Sequence, residues 1–169
     1  MRFGWMTLAH SPSPAHDGPA IFEQLEQATL AEQLGFDGVW LTEHNFTGES
    51  VYADPIPFAA ALAMRTQTIR IGFAVIQMAL RHPVRLATQL SLLDNLSRGR
   101  LDIGVGRGSI FNEYEFVGYG LRSNDARERM GNLPGALLQD PRGAQNLAFA
   151  LVKHVIASMQ RLEIGRAHV

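Results

Sequence analysis

The run Gly38-Val39-Trp40-Leu41-Thr42 passes without a break into Glu43-His44-Asn45-Phe46, so a short apolar strand delivers a titratable imidazole to its exit. The same grammar recurs at Leu101-Asp102-Ile103-Gly104-Val105, which runs into Gly106-Arg107-Gly108-Ser109 and sets a guanidinium among glycines. Two such exits serve one site only if the strands run parallel and end at the same edge. That requirement narrows the folds open to the chain.

The segments between these exits supply the alternation. Arg2 to Leu8 is a short apolar run closed by a Ser/Pro/Gly-rich loop from His10 to Pro19. Ile21, Leu25, Ala28, Ala31 and Leu34 then recur at helical spacing, with Pro19 where a first turn tolerates it and Gly35 placed as a left-handed cap. After the strand Gly38–Thr42 the pattern predicts a helix near Pro57 to Arg65 and a β-branched run from Thr68 to Ile76. A helix opened by His82-Pro83 and stopped by Gly99 follows, then a strand from Leu101 to Val105. Strands separated by helices of this length read as βαβ units. The near-continuous apolar character of Ile69 to Ile76 predicts parallel strands buried on both faces.

Four βα units are half of an eight-stranded barrel, whose usual size is roughly 250 residues. The competing doubly wound sheet calls for Gly-x-Gly-x-x-Gly after its first strand, where this chain has a proline-rich loop after Leu8. The fold expected for the 169 residues is therefore α/β, an incomplete (β/α)8 TIM-barrel type. Residues 1–130 form its N-terminal half and 131–169 a divergent tail. Gly131-Asn132-Leu133-Pro134-Gly135 breaks the helical pattern there, and Asn146 to Arg161 resumes it as an amphipathic helix expected to cover exposed sheet. The closing Glu163 to Val169 is similar to the translation of a common sequencing adapter and is expected to be non-native.

Composition excludes several functions. With 46% hydrophobic and 18% charged residues the chain can bury a core, and a net charge of −1 lacks the cationic excess that nucleic acid binding needs. The absence of cysteine removes disulfides, thiolate metal sites and thiol nucleophiles, and fits a cytoplasmic protein. His10 to Pro14 interrupt any leader-like apolar run, and the 146–161 segment, broken by Lys153 and His154, falls short of the roughly 20 apolar residues of a membrane span. No His-x-His occurs and no second histidine lies near His44 at ligand spacing, so no metal is expected.

Four stretches in order, Gly35 to Phe46, His82-Pro83-Val84-Arg85, Leu93 to Arg100 and Gly104 to Gly108, together resemble the bacterial luciferase-like flavin-dependent monooxygenases. The resemblance covers about residues 1–130. It implies a (β/α)8 barrel that takes reduced FMN from a separate flavin reductase and uses dioxygen to oxygenate a small organic substrate. Some relatives instead use a deazaflavin coenzyme and only transfer a hydride. A third reading is an inactive barrel fragment without catalysis.

The resemblance places the catalytic histidine at His44, whose imidazole titrates near neutrality and can give or take a proton. On residue type alone, a hydrogen-bonded loop histidine is the competing role. The family often shows an aromatic or a second imidazole where this chain has Asn45, and Glu43 either orients the ring or is a solvated loop acid. Arg107 is implied to bind the FMN phosphate, its glycine neighbours admitting an anion, or else to cap or bridge within the fold. Arg127, in Asn124-Asp125-Ala126-Arg127, matches a second phosphate contact after a one-residue offset. Ala74-Val75 falls where luciferases carry a cis peptide against the flavin ring, with an ordinary strand end as the alternative. Glycines 104, 106 and 108 serve either anion approach or close packing. His10 is a pocket-lining candidate, His82 a structural one, and Phe111, Tyr114, Phe116 and Tyr119 pack together or line the pocket. Half of a barrel is expected to bind FMN weakly, and its open sheet edge to favour a homo-oligomer or aggregation.

Overall fold

The computed structural model describes residues 1–108 and 110–130, and within them strands and helices alternate. Strand β1 (Gly4–Thr7) leads to helix α1 (Asp17–Gln33), β2 (Gly38–Leu41) to α2 (Pro55–Arg65), β3 (Arg70–Gln77) to α3 (Pro83–Ser97), and β4 (Leu101–Gly106) to the short α4 (Glu113–Gly118). The strands form one sheet in the order β1-β2-β3-β4, every neighbouring pair parallel. This is the first-half order of a barrel sheet. The predicted break at 131–135, the 146–161 helix and the adapter-like end all lie outside the described residues.

Local chemistry explains the helix limits. Asp54 caps α2 by accepting the Ile56 N–H at 3.0 Å with Pro55 in the first turn, so the helix begins two residues before Pro57. Helix α1 starts at Asp17, ahead of Pro19, and ends before Gly35, whose φ of +82° is the left-handed cap the sequence indicates. Helix α3 starts on Pro83 and stops where Arg98 and Gly99 both turn left-handed.

Alternation along the strands sends one row of side chains toward the helices. Val39, Leu41, Ile71, Phe73 and Ile76 are fully buried there against Leu25 and Ala28 of α1, Phe58 and Leu62 of α2, and Leu90 and Leu93 of α3. Each such side chain contributes about 1.5–3 kcal/mol. The opposite row differs from expectation: Met6, Val75 and, just past β1, Leu8 are exposed. Burial on both faces holds only on the helix side, because in a barrel the second face is covered by strands across the interior.

The N-terminal ends of the strands are tied by two polar residues. Arg100 donates to the carbonyl oxygens of Ala63 (2.9 Å), Thr66 (3.1 Å), Ile69 (2.8 Å) and Ser97 (2.7 Å), and to Thr66 Oγ1 (2.9 Å), so one guanidinium serves the C-terminal ends of α2 and α3. One carboxylate oxygen of Glu32 on α1 accepts the N–H groups of Gln67, Thr68 and Ile69 at 2.9, 2.7 and 2.9 Å. Burial acts to raise the Glu32 pKa, but these N–H groups together outweigh it and hold the carboxyl below its ordinary value.

Candidate active site at the strand exits

Because β2, β3 and β4 are parallel, the segments that follow Leu41, Gln77 and Gly106 emerge at one edge of the sheet. His44 is half-buried there. Its Nδ1 is enclosed, lies 3.5 Å from Glu49 Oε2, beyond ordinary hydrogen-bond length, and has no closer polar partner.

Glu43 neither orients this ring nor faces solvent. Its carboxylate is buried, accepting Arg81 Nη2 at 2.7 Å and the Gln77 backbone N–H at 2.7 Å, while Arg81 also donates to Asp54 Oδ1 at 3.1 Å and Oδ2 at 3.3 Å. Burial pushes the Glu43 pKa up, with Arg81 and the Gln77 N–H opposing it. Burial alone would lower Arg81, but the charges of Glu43 and Asp54 raise it. The strand-to-loop switch demands such a partner, since an acid two residues past a buried strand is carried inside with the backbone.

Gln77 is the hub of the exits. Its side-chain amide donates to the Glu43 carbonyl at 3.1 Å and to the Glu115 carboxylate, and Glu115 also accepts the Asn45 N–H at 2.8 Å. Tyr119 donates its hydroxyl to Asn45 Oδ1 at 3.0 Å, and its ring lies 5.5 Å from that of Phe46. Sequence reading missed Gln77, Arg81 and Glu115. Gln77 had a visible signal, a polar residue ending an apolar run as Glu43 and His44 do. Glu115 had none, because its partners lie 38 and 70 residues away.

The peptide between Ala74 and Val75 is cis, and the pairing of β3 with β4 slips there, Phe73 facing Ile103 and Ile76 facing Val105. The glycines of β4 answer to how closely β3 approaches them. A Cβ on Gly106 would stand 2.5 Å from Val75 Cγ2, and one on Gly104 2.3 Å from the Phe73 carbonyl oxygen, so both serve close packing. Gly108 has φ +77° and abuts Gln77 and Phe116, which seats the Arg107 loop on the hub.

The structure thus brings His44, Ala74-Val75 and Arg107 to one edge of the sheet. Arg107 and Arg127 are both exposed and make no ion pair among the described residues. His10 and His82 are exposed, and His82 stands at the start of α3 without a side-chain cap bond. Phe116 is fully buried, whereas Phe111, Tyr114 and Tyr119 are exposed. Among the described residues no cluster of three histidines or acids is placed to hold a metal.

A cavity of about 860 Å³ opens at the other end of the strands, lined by Phe36, Asp37, Trp40, Arg70 and Asp102 among others. Most of its charged groups are bonded within the fold: Arg70 grips Asp102 through two bonds of 2.5 and 2.6 Å, Asp37 accepts the Phe3 N–H, and Glu32 holds backbone N–H groups. This end reads as stabilising, in keeping with the division of labour in βα barrels.

The residues at the exits fit a flavin. Val75, 41% exposed, and Ala74 present an apolar strip over glycines against which a planar ring can lie, while the exposed Arg107 offers a guanidinium for an anionic arm.

Residues 1–133 match the luciferase-like monooxygenase family. The chain is 39% identical over 111 residues to limonene 1,2-monooxygenase of Rhodococcus erythropolis, covering 66% of this chain and 28% of that protein. It is 33% identical over 130 residues to the alkanal monooxygenase alpha chain of Photorhabdus luminescens, covering 77% and 35%. A monooxygenase from Streptomyces bottropensis superimposes with a TM-score of 0.73 at 34% identity, over 80% of this chain and 41% of the other. The fold extends to the oxygenating constituent of 3,6-diketocamphane monooxygenase from Pseudomonas putida, solved with FMN (TM-score 0.68, 22% identity, 81% and 40% covered). It extends also to the coenzyme F420 dependent tetrahydromethanopterin reductase of Methanopyrus kandleri (0.56, 21%, 80% and 40%). The chain therefore spans about a third of the length of the curated relatives it matches. Together with the parallel βα units, the match establishes that the chain belongs to the luciferase-like monooxygenase family.

Proposed function

We propose that these residues are the N-terminal half-site of a flavin-dependent monooxygenase that uses reduced FMN and dioxygen to oxygenate a small organic substrate. The observation that carries the reading is the exposed Val75 side chain, packed over the β4 glycines near the edge where the His44 and Arg107 segments emerge from parallel strands. Reduced FMN, when bound, supplies the electrons that activate dioxygen. Arg107 binds its phosphate through paired N–H donors, with Arg127 as a second contact, and Ala74 and Val75 support the ring. His44 gives or takes the proton through a ring nitrogen, half-buried and so partly shielded from bulk water. A separate flavin reductase supplies the reduced cofactor, the setting is the cytoplasm, and copies of the chain associate through the sheet edges into a homo-oligomer.

The test titrates FMN and riboflavin separately into the purified chain and reads flavin fluorescence. Arg107→Ala is expected to weaken FMN by tenfold or more while leaving riboflavin unchanged, because only FMN carries the phosphate. Equal loss of both ligands, or preferential binding of a deazaflavin coenzyme, would overturn the FMN assignment. No flavin binding at all would favour an inactive fragment.

A further inference from the structure

His44 sits between two anchored neighbours. Glu43 on one side is held by Arg81 and the Gln77 N–H, and Asn45 on the other gives its N–H to Glu115 at 2.8 Å and receives Tyr119 on its side chain at 3.0 Å. Glu115 belongs to α4, the segment that follows the Arg107 loop, and is 0% exposed. A buried carboxyl is costly unless its oxygens are filled, and here the two oxygens go one each to Asn45 and to Gln77. No cation pairs with it among the described residues. Its bonds therefore run sideways, joining the β2 exit, the β3 exit and the segment after β4. Packing of α4 does not need them, since Phe116 beside it is fully buried and closes against Ala79, Leu80 and Ala126.

We propose that Glu115 is a positioning residue: it clamps the His44 loop to the Gln77 hub and so sets the imidazole relative to the Arg107 segment as one unit. The inference rests on the reading of His44 as the proton carrier. In this arrangement the group that moves the proton and the loop that holds the anionic arm share one buried acid. Loss of its two acceptor oxygens frees residues 45 and 77, and with them the ring between the two exits.

The test uses the 169-residue chain and carbethoxylation by diethyl pyrocarbonate, quantified at each histidine by mass spectrometry. Glu115→Met removes both acceptors and is expected to raise the His44 rate about tenfold while His10 and His82, already exposed, keep theirs. Hydrogen exchange at the Asn45 amide rises in parallel, and the amides of Val39 and Ile71 in the sheet stay protected. Glu115→Gln keeps one acceptor and falls between. Should Glu115→Met not fold, Tyr119→Phe removes one bond to Asn45 and keeps the ring, and is expected to raise His44 labelling about threefold. Unchanged His44 labelling in the folded variants would overturn the clamp. The result is independent of cofactor: a chain that binds no flavin yet shows the labelling change favours an inactive fragment and leaves the clamp standing.

Discussion

Trp40 lies flat against Gly72, so close that a Cβ on that glycine would stand 2.4 Å from the indole Cε3. The same ring covers Gly4, where a Cβ would come within 2.6 Å of Nε1, so one aromatic paves the inner face of three strands. Neither glycine has positive φ, so bulk alone is at stake. Gly72→Ala is expected to destabilise by about 1–3 kcal/mol through overpacking, read as a lower urea midpoint at unchanged slope.

Arg100 offers a second check. Lysine at this position keeps the charge but loses the planar fork that reaches five acceptors in two helix ends and the turn before β3. Arg100→Lys should cost roughly 2–3 kcal/mol, and a thermal midpoint within about a degree of the parent would contradict the capping role.

Two carboxylates predict opposite slopes of stability against pH. The Glu32 carboxyl is held below its ordinary 4.5, so its contribution is present above that pH and is lost as pH falls through the lower folded value; Glu32→Gln should flatten the acid limb below pH 4.5. Glu43 is raised above 4.5, so its contribution is full below that pH and declines as pH rises through the folded value. The stability advantage of the parent over Glu43→Gln should therefore be smaller at pH 7 than at pH 4. Urea midpoints at both pH values decide the sign in each case.

His44→Ala separates proton transfer from binding. Flavin affinity should stay within about twofold, because the ring contributes no charge fork to the phosphate, while substrate oxygenation in a relative carrying the full barrel should fall by about 10²–10⁴-fold. Oxygenation at the parent rate would remove His44 from the mechanism.

The parallel sheet, the helix start at Pro83, the helix stops before Gly35 and Gly99, and the polar residues following β2 and β4 are legible locally. They depend on side-chain periodicity and backbone chemistry that act over a few residues. Helix α2 begins two residues before the position its apolar pattern predicts, because the capping role of Asp54 depends on its side chain turning back onto Ile56. Locally Glu43 reads as a solvent acid or a partner of the ring because its neighbour in sequence is His44, whereas its bonds are to Arg81 and Gln77, more than thirty residues on. Gly104 and Gly106 look alike as an anion-binding pair until the bulge at Ala74-Val75 shows what fills the space above them.

What the sequence determined by itself was the set of βα units and the chemistry offered at each strand exit, since both are written in spacing and residue type. Tertiary structure alone decided which groups meet: that Gln77 joins Glu43 to Glu115, and that Asn45 is pinned by an acid 70 residues away. The reason is that burial leaves polar atoms no water to bond, so their partners are chosen by proximity across strands, which no local pattern records.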